Sequence, residues 1–232
     1  MTFKRLIVSQ FVIALALGGS AFADDAPVPA ASGIENAWKP EAGDEIRFNV
    51  LRKGNPFGSH TVTFESGPNN ALVAKTKVGL KAGLGPITVF RYDLSASETW
   101  RSGELVAVNG QGNDDGKKGS MKATREGNAL AIEGSEFTGE APADIIPASH
   151  WNYAQTKASE LLSTENGEIY KVTVTPKGRE TIEAGGKTIE ANRYFMDSNI
   201  DVDVWYDDQG RWVKLAFEAR GQEIEYVLDQ MY

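Results

Sequence analysis

Apolar and polar side chains alternate through most of this chain. Ile46, Phe48 and Val50 are interleaved with Arg47 and Asn49, and Val62 and Phe64 with Thr61, Thr63 and Glu65. Phe90, Tyr92, Leu94 and Ala96 share a face opposite Arg91, Asp93 and Ser95. The pattern returns at Tyr170, Val172 and Val174, then at Ile200, Val202, Val204 and Tyr206. It closes with Val213, Leu215 and Phe217, then Ile224, Tyr226 and Leu228. A period of two puts successive side chains on opposite sides of a sheet, so these runs predict half-buried antiparallel strands.

Turn-forming stretches separate the runs: Lys53-Gly54-Asn55-Pro56, Arg125-Glu126-Gly127-Asn128, Gly185-Gly186, Asp208-Gln209-Gly210 and Arg220-Gly221. Gly and Asn supply the positive φ that tight hairpins require. About a dozen strands of ordinary length in sequential hairpins make a meander. A sheet that wide twists, so the expected fold is mainly β, an antiparallel meander curled into an open or closed barrel. One segment breaks the rhythm. In Pro147–Ala158, Ser149 is a candidate N-cap, and Trp151, Ala154 and Ala158 fall on one helical stripe. This predicts one short helix near the middle, dividing the sheet into two halves, with a short strand within 159–164.

The N-terminal end has a different character. Lys4 and Arg5 precede the apolar run Leu6–Leu17, and Ala21-Phe22-Ala23 offers an A-x-A cleavage site. That is the pattern of a secretory signal peptide over residues 1–23, cleaved after Ala23. The run is shorter than the ~20 residues of a spanning helix. The mature chain is therefore expected in the periplasm and not spanning a membrane. Residues 24–42, with Ala26-Pro27-Val28-Pro29-Ala30-Ala31 at their centre, read as a flexible linker. Residues 43–232 read as a single β-rich domain.

Charge and residue inventory narrow the chemistry. The net charge is −8, and no basic stripe carries interleaved aromatics, so nucleic acid is not an expected partner. With no cysteine, neither a disulfide nor a thiol nucleophile is available. Two histidines and no H-E-x-x-H supply a zinc site poorly, so neither metal nor other cofactor is expected. No G-x-S-x-G elbow is present, and Ser59 points to the opposite face from His60. Asp197, Asn199, Asp201 and Asp203 form an acidic ladder, but Val202 stands where a calcium loop needs its turn glycine.

His60 is in phase with Val62 and Phe64 and so points inward, either as a ligand contact or base or as a neutral core histidine. His150 lies in the first turn of the expected helix beside Trp151 and Asn152, where the segment either rims a pocket or plugs the barrel end. Arg193, if inward, must find a carboxylate or an anionic ligand. Trp205 and Trp212 are placed to pair across a hairpin, with Arg211 reaching Asp207 at its rim.

Five stretches follow in fixed order: Gly58-Ser59-His60, Phe90 through Trp100, His150-Trp151-Asn152, Ala191-Asn192-Arg193-Tyr194 and Trp205 through Trp212. Across residues 43–230 they resemble an exported proteobacterial family carried as a domain of unknown function. That family is distantly similar to curled-sheet periplasmic proteins, some of which handle lipid or lipoprotein. The resemblance implies an exported β-protein of uncharacterised role. The leading expectation is a non-enzymatic binder of a lipid or other amphiphilic ligand, with His60, Tyr92, His150, Trp151, Asn152 and Arg193 as ligand-facing residues. The alternatives are an envelope interaction or scaffold protein with a solid core, and a hydrolase using His60 or His150 with a carboxylate.

Overall fold

The computed structural model describes residues 33–84 and 87–232. The expected signal peptide and the first part of the linker lie outside the described residues. Strands β1 (Glu45–Arg52), β2 (Asn55–Ser66), β3 (Leu72–Leu84), β4 (Ile87–Arg101), β5 (Glu104–Asp114), β6 (Lys117–Glu126), β7 (Ala129–Gly134) and β8 (Thr138–Pro142) run as a meander. A crossover carries the short β9 (Ile146–Pro147), β10 (Glu160–Leu162) and β11 (Ile169–Lys171). A second meander follows: β12 (Thr173–Ala184), β13 (Lys187–Asp197), β14 (Val202–Asp207), β15 (Trp212–Ala219) and β16 (Gln222–Leu228).

Thirteen strands form one sheet in the order β12-β13-β14-β15-β16-β1-β2-β3-β4-β5-β6-β7-β8, and β9, β10 and β11 form a small second sheet. The fold is mainly β and antiparallel, as the alternation predicts. The two meanders are sewn together by β1 against β16, with register from Phe48↔Leu228 to Arg52↔Ile224. The sheet is open, because β8 and β12 are its two ends. Pro142 and Pro176 sit on those end strands, where a missing N–H costs no ladder bond and discourages pairing with another chain.

Alternation places Ile46, Phe48, Val50, Val62, Phe64, Val204 and Leu215 on the enclosed side, each no more than 2% exposed. Apolar area removed from water stabilises by about 25 cal/mol per Å², so this shared face is the main driving force for the curl. Among the described residues, no helix is long and apolar enough to cross a membrane.

The expected short helix near the middle is present as a 3₁₀ helix, Tyr153–Lys157, but its cap is Asn152 rather than Ser149, the Asn152 side chain accepting from the Ala154 N–H at 3.0 Å. Ser149 is buried instead, three residues too early to cap it. The segment does not extend into an α-helix because Tyr153 and Gln155 are both buried, anchoring side chains two residues apart rather than on a 3.6-residue stripe.

The described end of the stretch read as a linker is anchored to the sheet. Ala37 and Trp38 pack on the core, the Trp38 N–H donates to the Gln209 carbonyl at 2.6 Å, and its ring meets Phe64 and Tyr232 edge-on. The large indole area outweighs the low packing tendency of its Ala- and Pro-rich surroundings.

Trp205 and Trp212 do not pair. A bulge between Trp205 and Tyr206 shifts the β14–β15 register, so Trp212 lies opposite Tyr206 and Trp205 opposite Lys214. An extra residue re-aims every side chain beyond it. Trp212 therefore enters the core, while Trp205 lies beneath Arg193 and Lys214. The turn itself is as expected: Arg211 Nε donates to Asp207 Oδ2 at 2.7 Å, and Asp207 Oδ1 accepts the Gln209 and Arg211 N–H groups, both at 2.9 Å.

Candidate functional site

The polar groups inside the curl gather where the crossover meets the wall. Trp151, Tyr153, Gln155, Leu161 and Leu162 of the crossover are buried. The wall makes room for them by omitting side chains. A Cβ on Gly110 would lie 1.7 Å from the Thr164 carbonyl oxygen, and one on Gly134 would lie 2.3 Å from that of Asn166. Gly112 likewise leaves space for the Glu165 side chain. The crossover thus occupies the interior.

Glu98 is the deepest carboxyl, 1% exposed. Trp100 Nε1 donates to one of its oxygens at 3.0 Å and Trp151 Nε1 to the other at 3.3 Å. Burial raises Glu98 to about 7, although the Ser149 hydroxyl beside it and the two indoles favour the charged form. Glu98 continues the inward face of Phe90, Tyr92, Leu94 and Ala96, so its burial was readable in the alternation. Its partner Trp151, 53 residues away, was not.

His150 adopts φ +64°, a left-handed conformation costly for a residue with a Cβ. Its carbonyl accepts from the Tyr206 hydroxyl at 2.7 Å and from Gln155 Nε2 at 3.2 Å, and Gln155 Nε2 also reaches the Tyr206 oxygen. With the Gln155 nitrogen committed to these acceptors, its Oε1 faces His150 Nδ1 at 3.2 Å. That arrangement assigns the proton of the neutral ring to Nδ1. Burial lowers His150 to about 4, against the opposing pull of Gln155.

His60 points inward as predicted and is 5% exposed. Its ring meets Trp212 and Tyr226 edge-on at 5.2 and 5.6 Å, and Trp212 also contacts His150 at 5.5 Å. Neither His60 nitrogen has a hydrogen-bond partner among the described residues. Burial, then the nearby His150, lowers it to about 3. Both imidazoles are neutral at pH 7.

The other candidates disperse. Trp151 packs edge-on against Phe64 and Trp100, and Asn152 is the cap of the 3₁₀ turn. The Tyr92 hydroxyl donates to Glu165 Oε2 at 2.9 Å at the interior's far end. Burial raises both groups above their ordinary ranges. Arg193 faces away from the core. It grips Asp203 with two bonds of 2.7 and 2.9 Å, reaches Glu180 at 3.1 Å and lies over Trp205. The carboxylate demanded of an enclosed Arg193 is thus found on the outer face. Residues that sequence reasoning missed are Glu98, Gln155 and Tyr206. Gln155 and Tyr206 lie in unrelated stretches and meet only through the crossover.

Comparison with known proteins bears on family and fold. No curated protein matches the chain. Among solved structures, it is similar to the crystal structure of a beta-barrel-like protein of domain of unknown function DUF1849 from Brucella abortus. The TM-score is 0.59 at 8% identity, over 80% of this chain and 95% of that one. At that identity the likeness is one of fold. Residues 48–229 match the domain of unknown function DUF6134, and the chain belongs to that family of uncharacterised β-proteins.

Proposed function

We propose that this chain is an exported envelope protein that acts as a non-enzymatic interaction scaffold, its curled sheet a solid support rather than a container. The observation that carries this reading is the crossover seated inside the curl, with Trp151, Tyr153, Gln155, Leu161 and Leu162 buried against a glycine-thinned wall. A carrier needs that volume for its ligand. The hydrolase alternative, His60 or His150 acting with a carboxylate, has little support: His60 is sealed from solvent with neither nitrogen on a partner among the described residues, and His150 Nδ1 faces the Gln155 amide rather than a carboxylate.

The amphiphile-binder reading retains one favourable observation, the unpartnered nitrogens of His60. Both readings are separated by extracting natively purified protein with organic solvent and analysing the extract by mass spectrometry. No stoichiometric lipid is expected. A lipid recovered at one per chain would overturn the solid-core reading and restore the binder. Localisation is tested by fractionating the envelope and determining the mature N-terminus, expected at Asp24.

A further inference from the structure

The outer face of β2–β6 carries a chemistry unlike the rest of this acidic chain. Two neighbouring rows of outward side chains cross these strands. One runs Thr61, Lys77, Ser95, Gln111, Ser120. The other runs Thr63, Lys75, Ser97, Asn109, Lys122. They contain three lysines, seven hydroxyl or amide side chains and no carboxylate. Between the rows lies a groove of about 740 Å³. Its floor is the backbone of the inward-facing row that includes Thr76, Ala96, Gly110 and Met121.

Strand spacing fixes the shape of this trough. Two residues along a strand separate the walls by about 6.8 Å, and five strands give a length of about 19 Å. Lys75 is paired with Glu65 at the margin, but Lys77 and Lys122 make no ion pair among the described residues.

From this face we infer a docking site for an extended anionic polysaccharide, such as a chain of uronate residues. The inference rests on the interaction-scaffold reading and names its partner class. Charge complementarity supplies the attraction, since Lys77 and Lys122 make no ion pair among the described residues, although Glu133 stands opposite Lys122 in the next strand, and they attract a negative polymer to a chain of net charge −8. The hydroxyl and amide groups match a ligand rich in hydroxyls. No aromatic side chain stands in either row, so neither base stacking nor stacking on neutral sugar rings is provided. The rows offer no apolar side chain to insert into lipid. The floor's backbone groups are committed to the sheet ladder, so a peptide would gain no main-chain pairing there.

The test is binding of the purified full chain to polygalacturonate, with dextran, polyglutamate and phosphatidylglycerol vesicles as competing probes. Binding to polygalacturonate alone is expected, falling steeply with added salt. A Lys75→Glu, Lys77→Glu, Lys122→Glu variant is expected to lose at least about tenfold in affinity. Lys187→Glu, on the remote β12–β13 turn, should lose none. Melting curves verify folding, and the triple Lys→Gln variant replaces the first if charge reversal unfolds it. Equal binding to polyglutamate would overturn the glycan assignment in favour of an acidic polypeptide. Preference for vesicles would overturn it in favour of a lipid surface, and no binding, or binding unaffected by the lysine variant, would overturn the site itself. None of these outcomes alters the extraction result, so the docking site and the solid core fail separately.

Discussion

His60, His150 and Glu98 are three titratable groups that folding moves away from water, and their shifts oppose one another. His60 at about 3 and His150 at about 4 both lie below the ordinary 6.5, so the unfolded chain takes up protons there first. Each contributes stability that is present above 6.5 and lost as pH falls toward its folded value. Glu98 is raised from 4.5 to about 7, so its contribution is present below 4.5 and lost as pH rises to 7. Between pH 4.5 and 6.5 the two imidazoles compete with Glu98, and these three groups leave a net uptake of one proton on unfolding, an uptake that Glu165, also raised by burial, lessens. These three groups therefore lower stability by about 1.4 kcal/mol per pH unit on acidification through that window. His60→Phe removes one of the imidazoles, so its slope should be about 1.4 kcal/mol per pH unit smaller than that of the parent. It should also gain about 1 kcal/mol at pH 7, because two unpartnered buried nitrogens are replaced by carbon. Urea titrations of both proteins at pH 5 and 7 measure both effects, and an unchanged slope in the variant would remove His60 from this account. The inward placement of His60 and Glu98 was legible because each keeps step with its apolar neighbours. Their environment was not, since Trp212 and Trp151 come from distant segments and alternation carries no information about what a face meets.

At the scale of elements, the crossover and the wall that receives it depend on missing side chains. Gly110 and Gly134 have ordinary negative φ, so they are required by the neighbour rather than by the backbone. Gly110→Ala would set a methyl carbon against the Thr164 carbonyl and should destabilise by about 1–3 kcal/mol or more, since backbone on both sides cannot yield. Gly79→Ala is the control. It lies on the outer side of β3 with nothing within 4 Å of the added carbon and should change stability by about 0.5 kcal/mol or less. Thermal melts give the difference, and limited proteolysis locates it: cleavage within 163–168 should accelerate in the Gly110 variant alone. Equal behaviour of the two variants would mean that the crossover is not held by the wall. Strands in this protein were legible because period two is local. The β14–β15 bulge was not, because a single extra residue leaves the sequence pattern of Trp205–Trp212 intact while setting Trp212 opposite the inward Tyr206 rather than Asp207.

At the scale of the whole molecule, chain order and sheet order disagree, and the disagreement is informative. Hairpin signals predict neighbours in sequence, yet the seam of the sheet joins β1 to β16, and the open ends are β8 and β12 in mid-chain. Nothing local to either strand announces that pairing, which rests on burying Phe48, Val50, Tyr226 and Leu228 along a common face. The seam also brings the described ends together, with the Trp38 and Tyr232 rings 5.0 Å apart. Cutting and rejoining the chain should therefore be tolerated where the cut is peripheral. Joining Tyr232 to Gly33 through about eight Gly and Ser residues gives a flexible span of about 16 Å. New ends at the exposed Gly127-Asn128 turn between β6 and β7 disturb little, since the turn's carbonyls accept only from the Ala143 N–H at 3.1 Å and from Arg125 at 3.5 Å. That permutant should keep a strand-dominated circular dichroism spectrum and one cooperative transition. New ends at Gly167 fall where the backbone is buried, its absent Cβ only 3.1 Å from Gly134 Cα, and they free both halves of the crossover. The second permutant should melt earlier and in more than one step, because the support between the two meanders is gone while their shared β1–β16 seam remains. If both permutants melt alike, the crossover is a passive connection, and the solid core that underlies the scaffold reading loses its structural basis.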